Sequence, residues 1–193
     1  LTAAAFQTTK ENARETVAAV LQDTASYRIR GIELGATGNI TDRWSVFGGA
    51  VLMDSKVTDS ALPASLGRPL ANIAHQSFNL LTKYKLTDKL TIGGQATWKG
   101  EILGGTLAAI WFPAGTVNVG GVNVPTPAGY NKLPGGWRFD LMAEYEIDKT
   151  FSVKAQVLNI FNKTLYDAFY RSNTPYVYVA PGRAGYLTVQ AKF

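Results

Sequence analysis

The chain has 193 residues, enough for one ordinary domain with a sizeable core. Its 46% hydrophobic and 17% charged residues exclude a disordered tail, and apolar stretches such as Ala50 to Met53 are far shorter than the roughly 20 residues of a membrane helix. Cysteine is absent, which removes disulfides and thiolate metal ligands, and the net charge of +5 is scattered, with no basic block to form a nucleic-acid arm.

The chain begins at Leu1 with no basic stretch leading into an apolar one, a start read here as a truncation or cleavage point. Extended patterns follow near 2–13 and 17–38. Between them Ala13, Val17, Val20 and Leu21 have helical spacing, but the flanking alternation makes residues 10–26 read as a hairpin tip. The turn Thr41-Asp42-Arg43 leads to a strand near 44–54 whose two faces are both apolar or small, so its orientation stays open. After a long loop of about 54–73, strands are predicted near 74–86 and 90–102, separated by the turn Thr87-Asp88-Lys89. From Leu90, one face reads Leu90, Ile92, Gly94, Ala96, Trp98 and the other Thr91, Gly93, Gln95, Thr97, Lys99.

A second long, irregular loop, about 103–136, precedes the sharpest alternation in the chain. There Trp137, Phe139, Leu141, Ala143, Tyr145 and Ile147 oppose Arg138, Asp140, Met142, Glu144 and Glu146. The turn Asp148-Lys149-Thr150 links it to a strand near 151–162, a third long loop covers about 163–182, and a last strand near 183–193 ends on Phe193. Tight turns thus alternate with long loops, the layout of an up-and-down barrel in an outer membrane. Trp98 lies eight residues after Leu90, and Tyr145 eight after Trp137. Eight tilted residues rise roughly 19 Å, close to an apolar band between two aromatic girdles. Trp98 and Trp137 would mark the loop side, and Trp44, Tyr145, Phe151 and Phe193 the turn side. A soluble sandwich with an aromatic core remains the rival reading at this point.

Three stretches resemble TonB-dependent siderophore receptors. They are Tyr27-Arg28-Ile29-Arg30-Gly31-Ile32-Glu33-Leu34 with its turn and Trp44; Gln156 to Lys163, ending Asn159-Ile160-Phe161-Asn162-Lys163, with Leu165-Tyr166; and Ala180-Pro181-Gly182-Arg183-Ala184-Gly185 leading to Phe193. Leu70 to Asn79 is similar to a fourth family segment, with Ala74 where proline is common. The alternating last strand with its final Phe193 is similar to the signal read by outer-membrane assembly machinery.

The resemblance implies an all-β fold: a transmembrane antiparallel up-and-down barrel, of which residues 1–193 supply about eight C-terminal strands out of 22. It also implies an N-terminal plug domain and an energy-coupling box elsewhere in the parent. The implied function is TonB-dependent uptake of ferric siderophores across the outer membrane. A stand-alone eight-stranded barrel with a structural or adhesive role is the alternative. Expected partners are the ferric siderophore (a catecholate by preference), the plug, the TonB complex, membrane lipids and lipopolysaccharide, with no nucleic acid and no cofactor.

No enzymatic motif is present, and His75 is the only histidine, read as structural. No metal site is expected. The loop residues Arg171, Tyr170, Tyr176, Tyr178, Trp111 and Arg68 are candidates for ligand capture, since cations neutralise a polyanionic chelate and aromatics stack on its rings. Arg138, Asp140, Glu144 and Glu146 would face a watery lumen or the plug, because charge near a bilayer midplane costs several kcal/mol.

Overall fold

The computed structural model describes residues 1–17, 20–104, 111–112, 115–126, 129–170 and 176–192. Eight strands form one antiparallel meander in strict chain order. They are β1 (Thr2–Val17), β2 (Val20–Thr41), β3 (Trp44–Asp59), β4 (Gln76–Lys85), β5 (Leu90–Lys99), β6 (Gly136–Glu146), β7 (Phe151–Leu158) and β8 (Ala184–Ala191). The sheet is open, with β1 and β8 as its two edges. Among the described residues no helix is long and apolar enough to cross a membrane.

The register builds one apolar face. Opposite residues share a face, so the pairs Ala5↔Ile32, Ile32↔Leu52 and Leu34↔Ala50 put the oily rows of β1–β3 together. The row continues through Ala50↔Phe78, Phe78↔Trp98, Trp98↔Trp137, Leu141↔Val157 and Ala155↔Leu187 to the last strand. This resolves β3: Trp44, Val46, Ala50 and Leu52 lie on the apolar face, and Ser45, Phe47, Val51 and Met53 on the other. Among the described residues no second layer covers that face. Leu34, Leu141 and Leu187 are 54%, 54% and 74% exposed, so the oily rows lie open along the sheet, the kind of contiguous apolar surface that marks a contact with protein or membrane. The sandwich reading requires these rows to be packed and dry, and they are neither.

Aromatics mark the rims. At the loop side Trp137 stands 5.3 Å from Trp98, 5.8 Å from Phe78 and 5.7 Å from Phe139, and Phe139 meets Phe161 at 5.6 Å between ring centroids. At the turn side Trp44, Tyr84, Tyr145 and Phe151 are exposed, and the Trp44 indole donates to Thr82 Oγ1 at 2.7 Å. Phe193 lies outside the described residues.

The three tight turns share one device. Thr41 Oγ1 accepts from the Arg43 and Trp44 amides (3.3 and 3.1 Å), and Thr87 Oγ1 from Lys89 and Leu90 (3.2 and 3.0 Å). Asp148 Oδ1 accepts from Thr150 and Phe151 (2.7 and 2.8 Å). Each first residue satisfies the two amides that the chain reversal frees.

The loop side departs from the sequence reading. β3 runs on to Asp59 instead of ending near residue 54, because Arg28↔Lys56 and Tyr27↔Val57 continue the hairpin above the apolar rows. β1 and β2 also extend to the pair Val17↔Val20, so residues 10–17 and 20–26 are extended, with a bulge around Asn12 (φ 51°). Among their described residues, the second and third loops contain short hairpins. Gly115–Val119 pairs with Val122–Thr126 across Gly120-Gly121, both at positive φ, and Tyr166–Phe169 pairs with Val177–Val179. The Gly-Gly between alternating valines and polar residues was a readable hairpin signal.

Candidate loop-side capture site

The loops are fastened to one another by Asn72, which sits at φ 58°, a backbone region asparagine tolerates better than most residues. Its amide nitrogen donates to Phe169 O (3.1 Å), its Oδ1 accepts from the Phe169 amide (2.8 Å), and its own N–H donates to Leu103 O (2.7 Å). One side chain thus imitates a strand pair between the first and third loops while its backbone holds the second. Beneath it Ile102, Leu133 and Phe169 form a small buried core, flanked by Ala74 and Tyr166. Ala74, where the family segment commonly has proline, fills space against this core. Lys99 Nζ reaches Asp167 O, tying β5 to the third loop. Gly104 lies so close to the Phe169 ring that a Cβ there would clash with it.

A second asparagine corner ends β7. Asn159 (φ 49°) is 2% exposed, and its Nδ2 donates to Lys163 O and Pro181 O (2.9 and 3.3 Å) while Oδ1 accepts from the Lys163 amide (3.0 Å). Asn162 (φ 50°) accepts from the Arg183 amide at 3.0 Å. The Asn159–Lys163 stretch that carries the family likeness is therefore a staple joining β7 to the start of β8.

Of the capture candidates, the structure brings Tyr170 and Tyr178 together, edge to face at 6.2 Å, on the exposed third-loop hairpin. The Tyr170 amide donates to Tyr176 O (2.8 Å), placing Tyr176 at the same tip, 65% exposed. Trp111 pairs its backbone with Tyr130. Arg68 lies in the first loop, where its amide donates to Ser65 O at 3.1 Å and its Nε to Ala64 O at 3.4 Å. Arg171 lies outside the described residues.

On the face opposite the apolar rows, Arg138 holds Asp140 (Nη2–Oδ2 3.0 Å), and Asp140 Oδ1 accepts from the Asn159 amide at 2.8 Å. Asp140 is 6% exposed, so its charge is answered within the wall. Glu144 and Glu146 instead line a polar cleft of about 340 Å³ at the turn end, with Lys83, Lys85 and Arg43. Sequence reasoning missed Glu15, which is 5% exposed and accepts from Ser60 Oγ (2.6 Å), Ala61 N (2.8 Å) and Thr24 Oγ1 (2.5 Å). Burial pushes this carboxyl up, but the bonds from Ser60, Thr24 and Ala61 outweigh it and hold the group below the usual carboxylate value. His75 keeps a structural place, its carbonyl accepting from the Met53 amide at 2.8 Å. Among the described residues no cluster of potential metal ligands occurs.

Residues 1–160 match the family model described as TonB dependent receptor-like, beta-barrel. The chain is 33% identical over 203 residues to the probable TonB-dependent receptor BfrD of Bordetella pertussis, covering 100% of this chain and 24% of BfrD. It is 27% identical over 169 residues to the catecholate siderophore receptor Fiu of Escherichia coli K12, covering 84% of this chain and 19% of Fiu. The crystal structure of the siderophore receptor PiuA from Acinetobacter baumannii superposes with a TM-score of 0.80 at 25% identity, over 99% of this chain and 26% of PiuA. The chain therefore spans about a quarter of the length of BfrD and PiuA.

Proposed function

Since this chain belongs to the TonB-dependent receptor β-barrel family, we propose that it forms part of the wall and capture loops of a receptor importing ferric siderophores. The family consists of outer-membrane receptors and transporters, not enzymes, and the uncovered apolar belt suits that location. In this reading residues 1–193 are the C-terminal part of the barrel domain in a 22-stranded, plugged parent. The plug lies against the inner face, where Arg138, Asp140, Glu144 and Glu146 stand. A TonB complex acts on the parent through its N-terminal box, while lipids and lipopolysaccharide surround the belt.

The observation that carries the capture role is the paired, exposed Tyr170 and Tyr178 on a hairpin stapled to the other loops. A pre-ordered aromatic tip loses little entropy on binding. A catecholate chelate is favoured because its rings can stack on Tyr170, Tyr176, Tyr178 and Trp111 while Arg68 and Arg171 meet its negative charge. The chelator fills the iron's coordination sphere, so protein ligands to iron are not needed. In the full-length receptor, Tyr178→Ala and Arg171→Ala should each weaken ferric-catecholate binding about tenfold, or roughly 1.4 kcal/mol. Unchanged affinity in both variants removes this hairpin from the capture site.

A further inference from the structure

The apolar face of the β2–β3 hairpin continues past the belt into an unbalanced pair of cations. Alternation on β2 puts Arg30 and Arg28 on the face of Ile32 and Leu34, and on β3 it puts Asp54 and Lys56 on the face of Leu52. The register keeps this parity, pairing Arg30 with Asp54 and Arg28 with Lys56, while Gln7 and Thr9 of β1 complete the two rows. Arg30 and Asp54 form an ion pair at 3.8 Å. Arg28 and Lys56 stand directly opposite each other, and among the described residues neither has a carboxylate within ion-pair range. Like charges in that position destabilise a strand pair unless an anion answers them.

An anion can reach this pair from the outer side of the sheet. In the same rows the inner face is closed: Ser55 and Val57 are buried, Ser55 Oγ accepts from the Leu70 amide (3.0 Å), and the Val57 amide donates to Arg68 O (2.9 Å). The height is also informative. Each tilted row of two residues rises roughly 5 Å, which puts Arg28 and Lys56 roughly 9 Å above Leu52, at headgroup depth.

Resting on the outer-membrane placement, we infer that Arg28 and Lys56 form a docking point for the phosphate of lipopolysaccharide in the outer leaflet. The Arg28 guanidinium offers a two-pronged donor and Lys56 a point charge. Below them Ile32, Leu34, Leu52 and Ala5 give the acyl chains a continuous apolar track, so headgroup and chains are bound by one strip of the wall.

The test uses the full-length receptor, stripped of lipid in detergent and titrated with lipopolysaccharide, dephosphorylated lipopolysaccharide or inorganic phosphate, with native mass spectrometry as the readout. Arg28→Ala with Lys56→Ala should bind lipopolysaccharide about tenfold more weakly, whereas Arg30→Ala with Asp54→Ala, which removes a neutral pair, should change it less than about threefold. Removing the phosphates should cost the wild type a similar factor. Arg28→Lys, which keeps the charge, should retain binding and shows that the hairpin folds. Undiminished binding by the Arg28/Lys56 double variant overturns the proposal, as does inorganic phosphate binding as tightly as lipopolysaccharide. Ferric-siderophore affinity, measured on the same samples, separates this outcome from failure of the transport reading, because the two cations face lipid and not the capture loops.

Discussion

The wall and the loop end of this molecule are held together in opposite ways. In the wall, order is distributed: every strand repeats the same two-residue pattern, and the pairing from β1 to β8 lines up oily rows that no single residue dictates. At the loop end, order is concentrated. Asn72 ties the first loop to the other two, and Asn159, with Asn162, fixes the corner between β7 and β8. A distributed structure tolerates most single changes except a charge on the wrong face. A concentrated one fails at a point, and fails locally.

Breaking the wall therefore takes a charge in the belt. Leu141 lies mid-strand on the apolar face, opposite Gly94 and Val157. Leu141→Arg should destabilise the bilayer-embedded barrel by about 2–4 kcal/mol, whereas Met142→Gln on the opposite face should cost much less. Denaturant titration of the receptor in lipid vesicles measures both. Equal losses would mean that the oily rows do not face hydrocarbon.

Next in size are the staples. Asn159→Ala leaves Lys163 N, Lys163 O and Pro181 O without their partner and forces alanine to a φ of 49°, for a loss of about 2–3 kcal/mol. Asn159→Gly removes only the bonds and should lose less. Asn72→Ala should free the Phe169 amide, seen as about tenfold faster hydrogen exchange across the third loop with exchange in β5 and β6 unchanged. If exchange rises equally in the wall, the loop end is not a separate unit.

This contrast also explains what the sequence revealed. All eight sheet strands and the three tight turns follow from alternation and from Thr41, Thr87 and Asp148, since a period-two pattern is local and repeated. The orientation of β3 was hidden because Phe47, Val51 and Met53 on its inner face are as apolar as its outer row. Only pairing with β2 and β4 decided it. The loop end was opaque because its information is long-range: Asn72 and Phe169 are 97 residues apart, and nothing near either predicts the other. Beside the Gly-Gly turn, the asparagines were a visible hint, because they bear positive φ and cap neighbouring amides. The capture candidates came from residue type alone, which finds the Tyr170–Tyr178 hairpin but says nothing of how Arg68 is held.

The smallest expected effect is electrostatic and sets the two ends against each other with one probe, pH. Glu15, well above the belt, and Asp148, in a turn below it, are both held under their ordinary values. For Asp148 the cause is the backbone bonds from Phe151 and Thr150; for Glu15 it is the bonds from Ser60, Thr24 and Ala61 acting against burial. A carboxylate lowered on folding contributes stability that is present above its unfolded value and lost as the pH falls through its folded one. Acidification from neutral should therefore loosen both sites, but with different reach. Asp148 is exposed and closes only its own turn, so its protonation should speed exchange of the Thr150 and Phe151 amides alone. Glu15 joins the β1–β2 tip to the first loop through Ser60 and Ala61, so its protonation should release both together. Glu15→Gln should reproduce the acid state at neutral pH: faster exchange at residues 13–15 and 60–62, and an unchanged Phe151 amide. Exchange at residues 60–62 that ignores both acid and Glu15→Gln would show that the first loop is held by Asn72 and the β3 edge instead.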